Sequence, residues 1–452
     1  MEPIKLKDIV TACEGTFFGD ESLLDKYIHE ISTNSREIGD NSLFIPIVGE
    51  KFDAHNFISS AFENGCMCTL SHKKLDRDNY ILVSDTKNAL RDIAEYYRGL
   101  FNVKVIAITG SVGKTTVKEM LSSVLSTKYS VLKNIGNFNN EIGVPKTILN
   151  LEKHHEVAVI EMGMNSFGEI SRLSKVARPD ICIIMNIGDA HIGNLGSREG
   201  IFKAKTEIFD YMKEGGQVFL YGDDDMLVSL NGSDLSPVFF GESSYNDVSI
   251  SKIKNVDIEG TEFVANYKGE DLNAKVGVPG EYMLPSVLCS IAIAKSLELS
   301  NEQIQKGILD YTPAKMRKEI IKTEKLTIIN DCYNASEESI IAGVKLLELA
   351  TSRKVVIIGD ILEVGEHGER VHYSVGKNVA TKDVDIIICC GEQSKYTYNG
   401  IVENSKTKAY YFDDKDKMHD DLNNIIKTGD TVYVKASRGC RFEKTVERLQ
   451  NI

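Results

Sequence analysis

The segment from Val103 to Thr116, which reads VKVIAITGSVGKTT, constrains the fold of this chain more than any other. A β-branched run breaks into a glycine turn, and Gly113, Lys114 and Thr115 then open a predicted helix. In such a unit the backbone N–H groups and the helix N-terminus surround a phosphate, the lysine reaches the outer phosphates, and the threonine hydroxyl holds Mg²⁺. The general pattern has a glycine where this chain has Ile108, which argues against an ordinary GTPase loop. We therefore predict a phosphate site, with a ligand-free glycine turn as the alternative.

Composition limits the class of protein. A chain of 452 residues is too long for one hydrophobic core and predicts two or three domains. The net charge of −13 argues against nucleic acid or an anionic membrane as the main partner. No uninterrupted apolar stretch is long enough to span a bilayer, so no integral membrane segment is expected. The scattered cysteines are typical of reduced thiols, and we expect a cytoplasmic protein.

Three regions follow one another along the chain. Residues 1–98 mix short apolar strands with helices, and Gly99 breaks the second of these helices just before the phosphate-loop strand. Residues 99–312 read as parallel α/β, with shorter alternating segments after Gly215 that predict an antiparallel annex. Residues 313–452 repeat the α/β pattern without a GxGxxG fingerprint.

Polar residues follow the predicted strands of the second region, where ligands bind in open parallel sheets. Glu161 follows the apolar run Val157 to Ile160, and a carboxylate there would face a γ-phosphate and hold Mg²⁺. His191 comes a few residues after the run Ile181 to Met185. Each of these residues alone is often structural, but together with the phosphate loop they predict a site. Asn137, Asn139 and Asn140 stand close together in a further polar segment. Their side chains offer both donors and acceptors, which suits a loop folded around phosphates or a polar substrate. A surface turn is the alternative.

The segments TGSVGKTT, GNFNNEIGVP, EMG and NIGDAHIGNLGSREGIFKAKTEI resemble the central domain of the Mur ligases. Within that family the chain is most similar to the UDP-N-acetylmuramoyl-tripeptide:D-alanyl-D-alanine ligases (MurF). The stretch STNSREIGDNSLFIPIVGEKFDAHNF resembles the family's UDP-sugar-binding domain, and INDCYNASEESI, VVIIGDILEVGEHG and GDTVYVKASRG resemble its carboxy-terminal domain. The resemblance implies three α/β domains: a mixed donor-binding domain (1–98), a central P-loop ATPase-like parallel sheet with an antiparallel annex (99–312), and a Rossmann-like domain on the acceptor side (313–452).

The resemblance implies an ATP-dependent ligase of peptidoglycan precursor synthesis. ATP would phosphorylate the terminal carboxylate of UDP-N-acetylmuramoyl-tripeptide, and the amine of D-alanyl-D-alanine would attack the acyl phosphate. One Mg²⁺ would be held by Thr115 and Glu161, and a second by His191. Lys205 matches the family's lysine that CO₂ converts to an anionic carbamate, with Lys203 as the nearby competitor.

The resemblance also assigns binding residues, and we expect a monomer. The catalytic residues implied are Lys114, Glu161, His191 and Lys205. The ATP-binding residues implied are Thr109, Gly110, Ser111, Val112, Gly113, Lys114, Thr115, Thr116 and Asn330. The substrate-binding residues implied are Ser35, Arg36, Asn137, Asn139, Asn140, Arg317, Asp331, Tyr333, Asn334, Lys435, Ser437 and Arg438. Asp53 and His55 match a DGH-like stretch of the family, which here reads DAH, and we interpret them as structural residues.

Departures from the family pattern keep alternatives open. Ser336 and Glu337 stand where relatives have Asn-Pro, Met316 replaces a usual glycine, and Met283 and Ser286 replace asparagines that would contact the adenosine. They suggest a divergent ligase that uses a modified D-alanyl dipeptide or depsipeptide. A folylpolyglutamate-type ligase is a further alternative, although such enzymes begin close to their phosphate loop. A non-catalytic nucleotide-regulated module would need a broken metal site, whereas the implied ligands are all present.

Overall fold

The computed structural model describes residues 1–49, 52–190, 192–257, 260–362 and 364–452. Its contacts divide the chain into two compact units. The first unit comprises Met1–Ser249, Tyr267–Gly269 and Pro285–Gly307. The second unit comprises Ile250–Asn266, Glu270–Leu284 and Ile308–Ile452.

The N-terminal region of the first unit is built on a mixed sheet. Its strands lie in the order Thr16–Phe18, Tyr80–Leu82, Cys68–Ser71, Ser42–Phe44 and Glu30–Ser32. The first pair is antiparallel and the other pairs are parallel. Two short antiparallel pairs accompany it, Ile4–Lys5 with Tyr27–Ile28 and Val48–Gly49 with Phe52–Asp53. The helices are Leu6–Ala12, Ile58–Glu63 and Thr86–Gly99, with 3₁₀ turns at Glu21–Asp25 and Ala54–Phe57.

The helix Thr86–Gly99 links this region to the phosphate-loop strand. The Asp85 side chain caps its N-terminus by accepting a hydrogen bond from the backbone N–H of Asn88 at 2.7 Å. Its apolar face, which includes Ile93 and Tyr97, is buried. The helix ends at Gly99, where the sequence predicted its end.

A parallel sheet carries the phosphate loop. Its strands lie in the order Val131–Lys133, Val157–Glu161, Lys104–Thr109, Ile181–Ile184, Gln217–Tyr221 and Val238–Phe240. All of these pairs are parallel. The central strands are buried because helices cover the sheet, and their carboxyl ends meet at one edge. The helices of this region are Lys114–Leu125, Gly143–Ile148, Glu169–Ala177, Ile192–Leu195 and Arg198–Thr206, with 3₁₀ turns at Glu207–Phe209 and Leu227–Leu230.

The antiparallel annex begins later than the sequence predicted. We expected the parallel sheet to end near Gly215, but the next two strands continue it, and Phe240 pairs in parallel with Val248. The reason is burial, since the run Val218 to Leu220 is buried like the other parallel strands. The annex consists of the strands Val248–Asp257, Gly260–Tyr267 and Glu270–Val276. The turn between the last two has positive φ at Lys268 and Gly269, which is typical of a two-residue hairpin. The 3₁₀ turn Glu281–Met283 and the helices Leu284–Ser296 and Asn301–Leu309 follow.

The C-terminal region of the second unit is a second, mostly parallel sheet. Its strands lie in the order Glu319–Lys322, Thr327–Asn330, Thr431–Lys435, Lys354–Gly359, Ile386–Cys390 and Lys408–Phe412. Only the pair Glu319–Lys322 with Thr327–Asn330 is antiparallel among these described pairs. The two edge strands were not predicted, and both are only half-buried in the structure. The helices are Glu337–Leu347, Gly368–Val379, Ser394–Asn404, Lys415–Ile425 and Glu443–Gln450, with 3₁₀ turns at Gly365–His367 and Arg438–Cys440.

The predicted α/β class, with its mixed, parallel and C-terminal sheets, is confirmed by this architecture. The boundaries at 98/99 and 312/313 stay predictions. Every cysteine is a free thiol, and all but Cys440 are buried. Across the described ranges, no helix is long and apolar enough to cross a bilayer.

Candidate nucleotide and metal site

The glycines of the phosphate loop adopt backbone conformations that other residues avoid. Gly110 has φ +152°, and a Cβ added there would lie 2.9 Å from the Cβ of Met185. Gly113 has φ +85° and caps the helix Lys114–Leu125 in the left-handed region. The loop therefore leaves its strand tightly and presents the helix N-terminus, as the sequence predicted.

Asn186 holds the loop from the neighbouring strand, a role that the sequence did not predict. Its Oδ1 accepts from the Val112 N–H at 2.9 Å, and its Nδ2 donates to the Val112 carbonyl at 3.0 Å. The Asn186 carbonyl accepts from the Ser111 N–H at 3.1 Å. Its place directly after a buried strand was the signal that pointed to it.

The Lys114 side chain folds back over the loop. Its Nζ donates to the Gly110 carbonyl at 2.6 Å and lies 3.3 Å from the Ser111 carbonyl. The Thr109 hydroxyl donates to the Met162 carbonyl at 3.0 Å, and Thr116 is half-buried in the first turn of the helix. The Lys114 ammonium thus lies against the backbone of the loop that the sequence predicts to bind phosphate.

Glu161 is the centre of the site. It is 2 % exposed, and its Oε2 accepts from the Thr115 hydroxyl at 2.9 Å. Its Oε1 accepts from Asn139 Nδ2 at 2.8 Å. The structure therefore brings together Thr115, Glu161 and Asn139, three residues that the sequence placed in one site.

Lys118 is a cation of this site that the sequence reading missed. It is fully buried, and its Nζ lies 3.7 Å from Glu161 Oε2. The same ammonium donates to the carbonyls of Asn134 at 3.0 Å and Gly136 at 3.2 Å. Asn134 in turn accepts from the Glu161 N–H at 2.6 Å. Its spacing of three residues after Thr115 on one helix was the available signal.

The donors present fit a cation shared with a nucleotide. Within the described parts of the chain, no three His, Cys, Asp or Glu side chains cluster as metal ligands. Mg²⁺ usually takes one or two carboxylates and completes its shell with waters and substrate phosphates. The buried Glu161 carboxylate beside the Thr115 hydroxyl matches that pattern. Two further ligands were predicted, His191 and Lys205 as a carbamate, and of these His191 lies outside the described residues.

Lys205 is buried on the helix Arg198–Thr206, with 2 % of its surface exposed. Burial, together with the charge of Lys114, holds its pKa well below the usual value of a lysine. Lys203 on the same helix is exposed, with its ammonium 5.9 Å from the ring centre of Phe167. Of the two lysines, the buried one is thus the residue that the sequence selected.

The remaining predicted residues of the first unit have local roles. The Asn140 side chain accepts from the Gly143 N–H at 2.9 Å, where the helix Gly143–Ile148 begins, whereas Asn137 is exposed. Ser35 is buried and Arg36 is exposed. The predicted structural residues form a pair, since Asp53 Oδ1 accepts from the His55 N–H at 2.9 Å and lies 2.6 Å from its Nδ1.

Asp331 is the centre of a buried polar cluster in the second unit. Its Oδ2 accepts from Lys435 Nζ at 2.7 Å and from the Tyr433 hydroxyl at 3.0 Å. Its Oδ1 accepts from the Lys318 N–H at 3.1 Å. Burial and the Asp331 carboxylate raise the pKa of Tyr433 well above its usual value, so the phenol stays a hydrogen-bond donor.

Two cations stack on aromatic rings beside this cluster. The Arg317 guanidinium lies 4.1 Å from the ring centre of Tyr333, and the Lys318 ammonium lies 3.3 Å from that of Tyr282. Burial lowers the pKa of Lys318 to about 8 although Asp331 opposes the shift. Lys318 was not predicted.

Other predicted residues of the second unit bond to nearby groups. Asn330 Nδ2 donates to Glu319 Oε2 at 3.0 Å, and the Asn334 side chain accepts from the Ala335 N–H at 2.9 Å. The Ser437 hydroxyl accepts from the Leu362 N–H at 2.9 Å, and an ion pair joins Arg438 Nη1 to Glu443 Oε1 at 3.7 Å.

The departures from the family pattern have structural partners. Ser336 caps the helix Glu337–Leu347 in a capping box. Glu337 Oε1 accepts from Ser374 at 2.5 Å and from Asn378 at 3.1 Å. Met316 has φ +61°, a conformation for which a glycine would be unstrained.

Comparison with known proteins is consistent across the chain. Residues 108–294 match the family model of the Mur ligase middle domain, and residues 316–438 match that of the Mur ligase, glutamate ligase domain. The chain is similar to the UDP-N-acetylmuramoyl-tripeptide–D-alanyl-D-alanine ligase of Bacillus subtilis, at 34 % identity over 98 % of both chains. It is similar to the crystal structure of MurF from Acinetobacter baumannii, with a TM-score of 0.92 and 30 % identity over 100 % of both chains. A MurF ligase from Thermotoga maritima, solved in complex with ADP, aligns with a TM-score of 0.84 and 28 % identity over 94 % of this chain and 97 % of the other.

Proposed function

Because this chain belongs to the Mur ligase family, we propose that it joins D-alanyl-D-alanine to UDP-N-acetylmuramoyl-tripeptide at the expense of ATP. The observation that carries the proposal is the phosphate loop whose first helical hydroxyl, on Thr115, lies 2.9 Å from the buried carboxylate of Glu161. That pairing is the chemistry of a nucleotide–metal site. The full-length likeness to ligases of this kind supplies the substrates.

The reaction has two steps that balance without a further reagent. An oxygen of the donor's terminal carboxylate attacks the γ-phosphorus of ATP, the bond to the β-phosphate oxygen breaks, and ADP leaves. The amine of the dipeptide then attacks the acyl carbon, loses a proton, and expels inorganic phosphate. Loop N–H groups and Lys114 stabilise the negative charge of the transferring phosphoryl group. Bound Mg²⁺ would neutralise phosphate charge, and Thr115 and Glu161 are the residues that would hold it.

We propose that Lys205 carries a carbamate. A buried lysine with a lowered pKa presents a neutral amine, whose lone pair forms an N–C bond with CO₂ while a proton leaves to solvent. The product is an anionic oxygen donor, which suits a hard metal far better than an ammonium does. The carbamate oxygen and His191 would together hold a second Mg²⁺, separate from the one that Thr115 and Glu161 would hold.

The Lys205 assignment is tested by ¹³C NMR after equilibration with labelled bicarbonate. A carbamate signal should be present in the wild-type protein and in Lys203→Ala, the exposed neighbour on the same helix, and absent from Lys205→Ala. Activity should follow the signal, with partial rescue of Lys205→Ala by short carboxylates. A signal that persists in Lys205→Ala would contradict the assignment.

We assign the substrates by region. Residues 1–98 hold the UDP-sugar donor through Ser35 and Arg36, and residues 99–312 bind ATP. Residues 313–452 serve the nucleotide through Asn330 and the acceptor dipeptide. The acceptor-side residues are Arg317, Asp331, Tyr333, Asn334, Lys435, Ser437 and Arg438. Asn137, Asn139 and Asn140 complete the substrate loop. The monomeric state and the cytoplasmic location stay predictions.

The acceptor we propose is D-alanyl-D-alanine. The substitutions that suggested a modified dipeptide have partners within the fold, since Ser336 caps a helix and Glu337 bonds to Ser374 and Asn378. These contacts account for both residues without a change in the acceptor.

An ADP-release assay with substrate omission tests the function. Sustained release of ADP over many turnovers should require ATP, the UDP-tripeptide and D-alanyl-D-alanine together, with a product mass equal to donor plus dipeptide minus water. D-Alanyl-D-lactate and D-alanyl-D-serine should give lower kcat/KM values. Turnover with a folate and glutamate instead would contradict the proposal.

A further inference from the structure

Residues 134–145, which read NIGNFNNEIGVP, form an asparagine-rich segment. Glu141 lies in this segment and is almost fully buried, with 8 % of its surface exposed. Three cations converge on its carboxylate. Lys87 Nζ lies 2.5 Å from Oε2, Arg91 Nη1 lies 2.5 Å from Oε1, and Arg172 Nε also bonds to Oε1. Burial alone would raise the pKa of Glu141, but the hydrogen bonds from Arg172 and Lys87 outweigh it and hold the pKa below its usual value. The carboxylate is thus a fixed negative charge.

The cations come from two separate helices. Lys87 and Arg91 stand one turn apart on the helix Thr86–Gly99, which precedes the phosphate-loop strand. Arg172 stands on the helix Glu169–Ala177, which follows the Glu161 strand. The Glu141 carboxylate therefore fastens its loop to both helices at once.

The loop between Glu141 and the site has little freedom to move. Asn139, two residues before Glu141, donates to Glu161 Oε1 at 2.8 Å, and its carbonyl accepts from the Gly163 N–H at 2.8 Å. A Cβ added to Gly143 would lie 2.4 Å from the backbone of Phe138, so the two ends of this short segment are in close contact. A displacement of Glu141 must consequently be passed to the Asn139 amide.

We propose that Glu141 is a positioning residue for the metal site: anchored by Lys87, Arg91 and Arg172, it fixes the Asn139 amide that orients the Glu161 carboxylate. The inference rests on the proposed function, because it concerns the carboxylate that would hold Mg²⁺. Glu141 itself touches no substrate atom in this account. Its effect reaches the nucleotide through Asn139 and Glu161.

Glu95 offers a matched control on the same two helices. It lies on the helix Thr86–Gly99 and bonds to Arg178 Nη2 at 2.5 Å and Lys175 Nζ at 3.4 Å, at the end of the helix Glu169–Ala177. Glu95 links the two helices as Glu141 does, but its described contacts do not include the asparagine-rich segment. Glu95→Gln therefore reports the loss of a helix brace alone.

The experiment compares ADP binding by calorimetry in Mg²⁺ and in EDTA. In the wild-type protein Mg²⁺ should strengthen binding. In Glu141→Gln that gain should shrink by about tenfold, the effect of losing one charge-assisted hydrogen bond, while binding in EDTA stays unchanged. Glu141→Asp should recover part of the gain, and Glu95→Gln should retain all of it. In turnover, Glu141→Gln should raise the Mg²⁺ concentration needed for half-maximal rate more than it changes the KM for the donor.

The outcomes separate the inference from the function. An equal Mg²⁺ gain in Glu141→Gln and wild type, or an equal loss in Glu95→Gln, would overturn the positioning role alone. A wild-type protein that binds no ADP would overturn the proposed function and the inference with it. Arg172→Gln, which keeps the carboxylate and removes one cation, should shift the Mg²⁺ gain in the same direction if Glu141→Gln does not fold.

Discussion

At the residue scale, the site is a set of buried charges that compensate one another. The Glu161 carboxylate lies beside the fully buried Lys118, with the Thr115 hydroxyl and the Asn139 amide on its two oxygens. A buried carboxylate without such partners would be costly, since several kcal/mol are needed to remove an ion from water. Lys114, in contrast, bonds to backbone carbonyls of the loop it serves.

Lys114→Ala should abolish turnover without unfolding the protein. In the proposed mechanism its side chain stabilises phosphate charge, and removing one such electrostatic stabiliser costs at least about a hundredfold in rate. The measurement is ADP release, with thermal unfolding as the check on the fold. The control is Lys104→Ala, which changes an exposed lysine at the start of the strand Lys104–Thr109 that leads into the loop, and this variant should keep its rate. Near-normal ADP release from folded Lys114→Ala would contradict the phosphate-loop assignment.

Met316 should show the reverse of the usual order of glycine and alanine. Its φ of +61° strains any residue that carries a Cβ, by about 1 kcal/mol or more. Met316→Gly should therefore be more stable than Met316→Ala by about 1 kcal/mol, whereas glycine is ordinarily the less stable of the two. Urea unfolding of the two variants measures this difference. A more stable alanine variant would show that the strain is absent.

At the scale of elements, parallel strand ends explain what the sequence could predict. Thr115 and Glu161 were placed in one site because carboxyl ends of parallel strands meet at one edge. Asn139 was placed beside them because an asparagine-rich loop suits phosphates or a polar substrate. Lys118 and Glu141 could not be placed in this way. Their partners are loop carbonyls and cations about fifty residues away or on another helix, and these depend on tertiary packing. The same limit hid the half-buried edge strands Glu319–Lys322 and Lys408–Phe412.

The packing of one buried histidine predicts a pH dependence. His372, on the helix Gly368–Val379, accepts from the Ile361 N–H at Nε2 and lies 2.7 Å from the Gly368 carbonyl at Nδ1. This arrangement holds the neutral ring, and burial lowers its pKa below 6.5. As pH falls through 6.5, the His372 imidazole takes up a proton in the unfolded chain but stays neutral in the folded chain. The free energy of unfolding should then fall by at most about 1.4 kcal/mol per pH unit, down to the lowered pKa.

Urea unfolding between pH 7 and pH 5 measures this slope. His372→Gln should be less pH-dependent than the wild type, whatever its absolute stability. His367→Gln, which changes an exposed histidine just before the same helix, should leave the slope unaltered. A slope in His372→Gln equal to that of the wild type would contradict the account.

At the scale of the whole molecule, the sequence predicted the three sheets better than it predicted where the antiparallel annex begins. The mixed sheet, the parallel sheet and the C-terminal sheet were all expected, because each has its own run of apolar strands and helices. The start of the annex was placed too early, since the short strands Gln217–Tyr221 and Val238–Phe240 continue the parallel sheet. Contacts group the described residues into two compact units, each assembled from segments that are separate along the chain. The domain boundaries at 98/99 and 312/313 stay predictions.

The central claim is that one chain activates a carboxylate with ATP and passes it to an amine. Transfer of ¹⁸O tests this most directly. With the terminal carboxylate of the UDP-tripeptide labelled, the oxygen that attacks the γ-phosphorus leaves with the phosphate when the amide forms. The account predicts one ¹⁸O atom in each inorganic phosphate released with product, measured by mass spectrometry. Phosphate that contains no label, while the amide product accumulates, would contradict it.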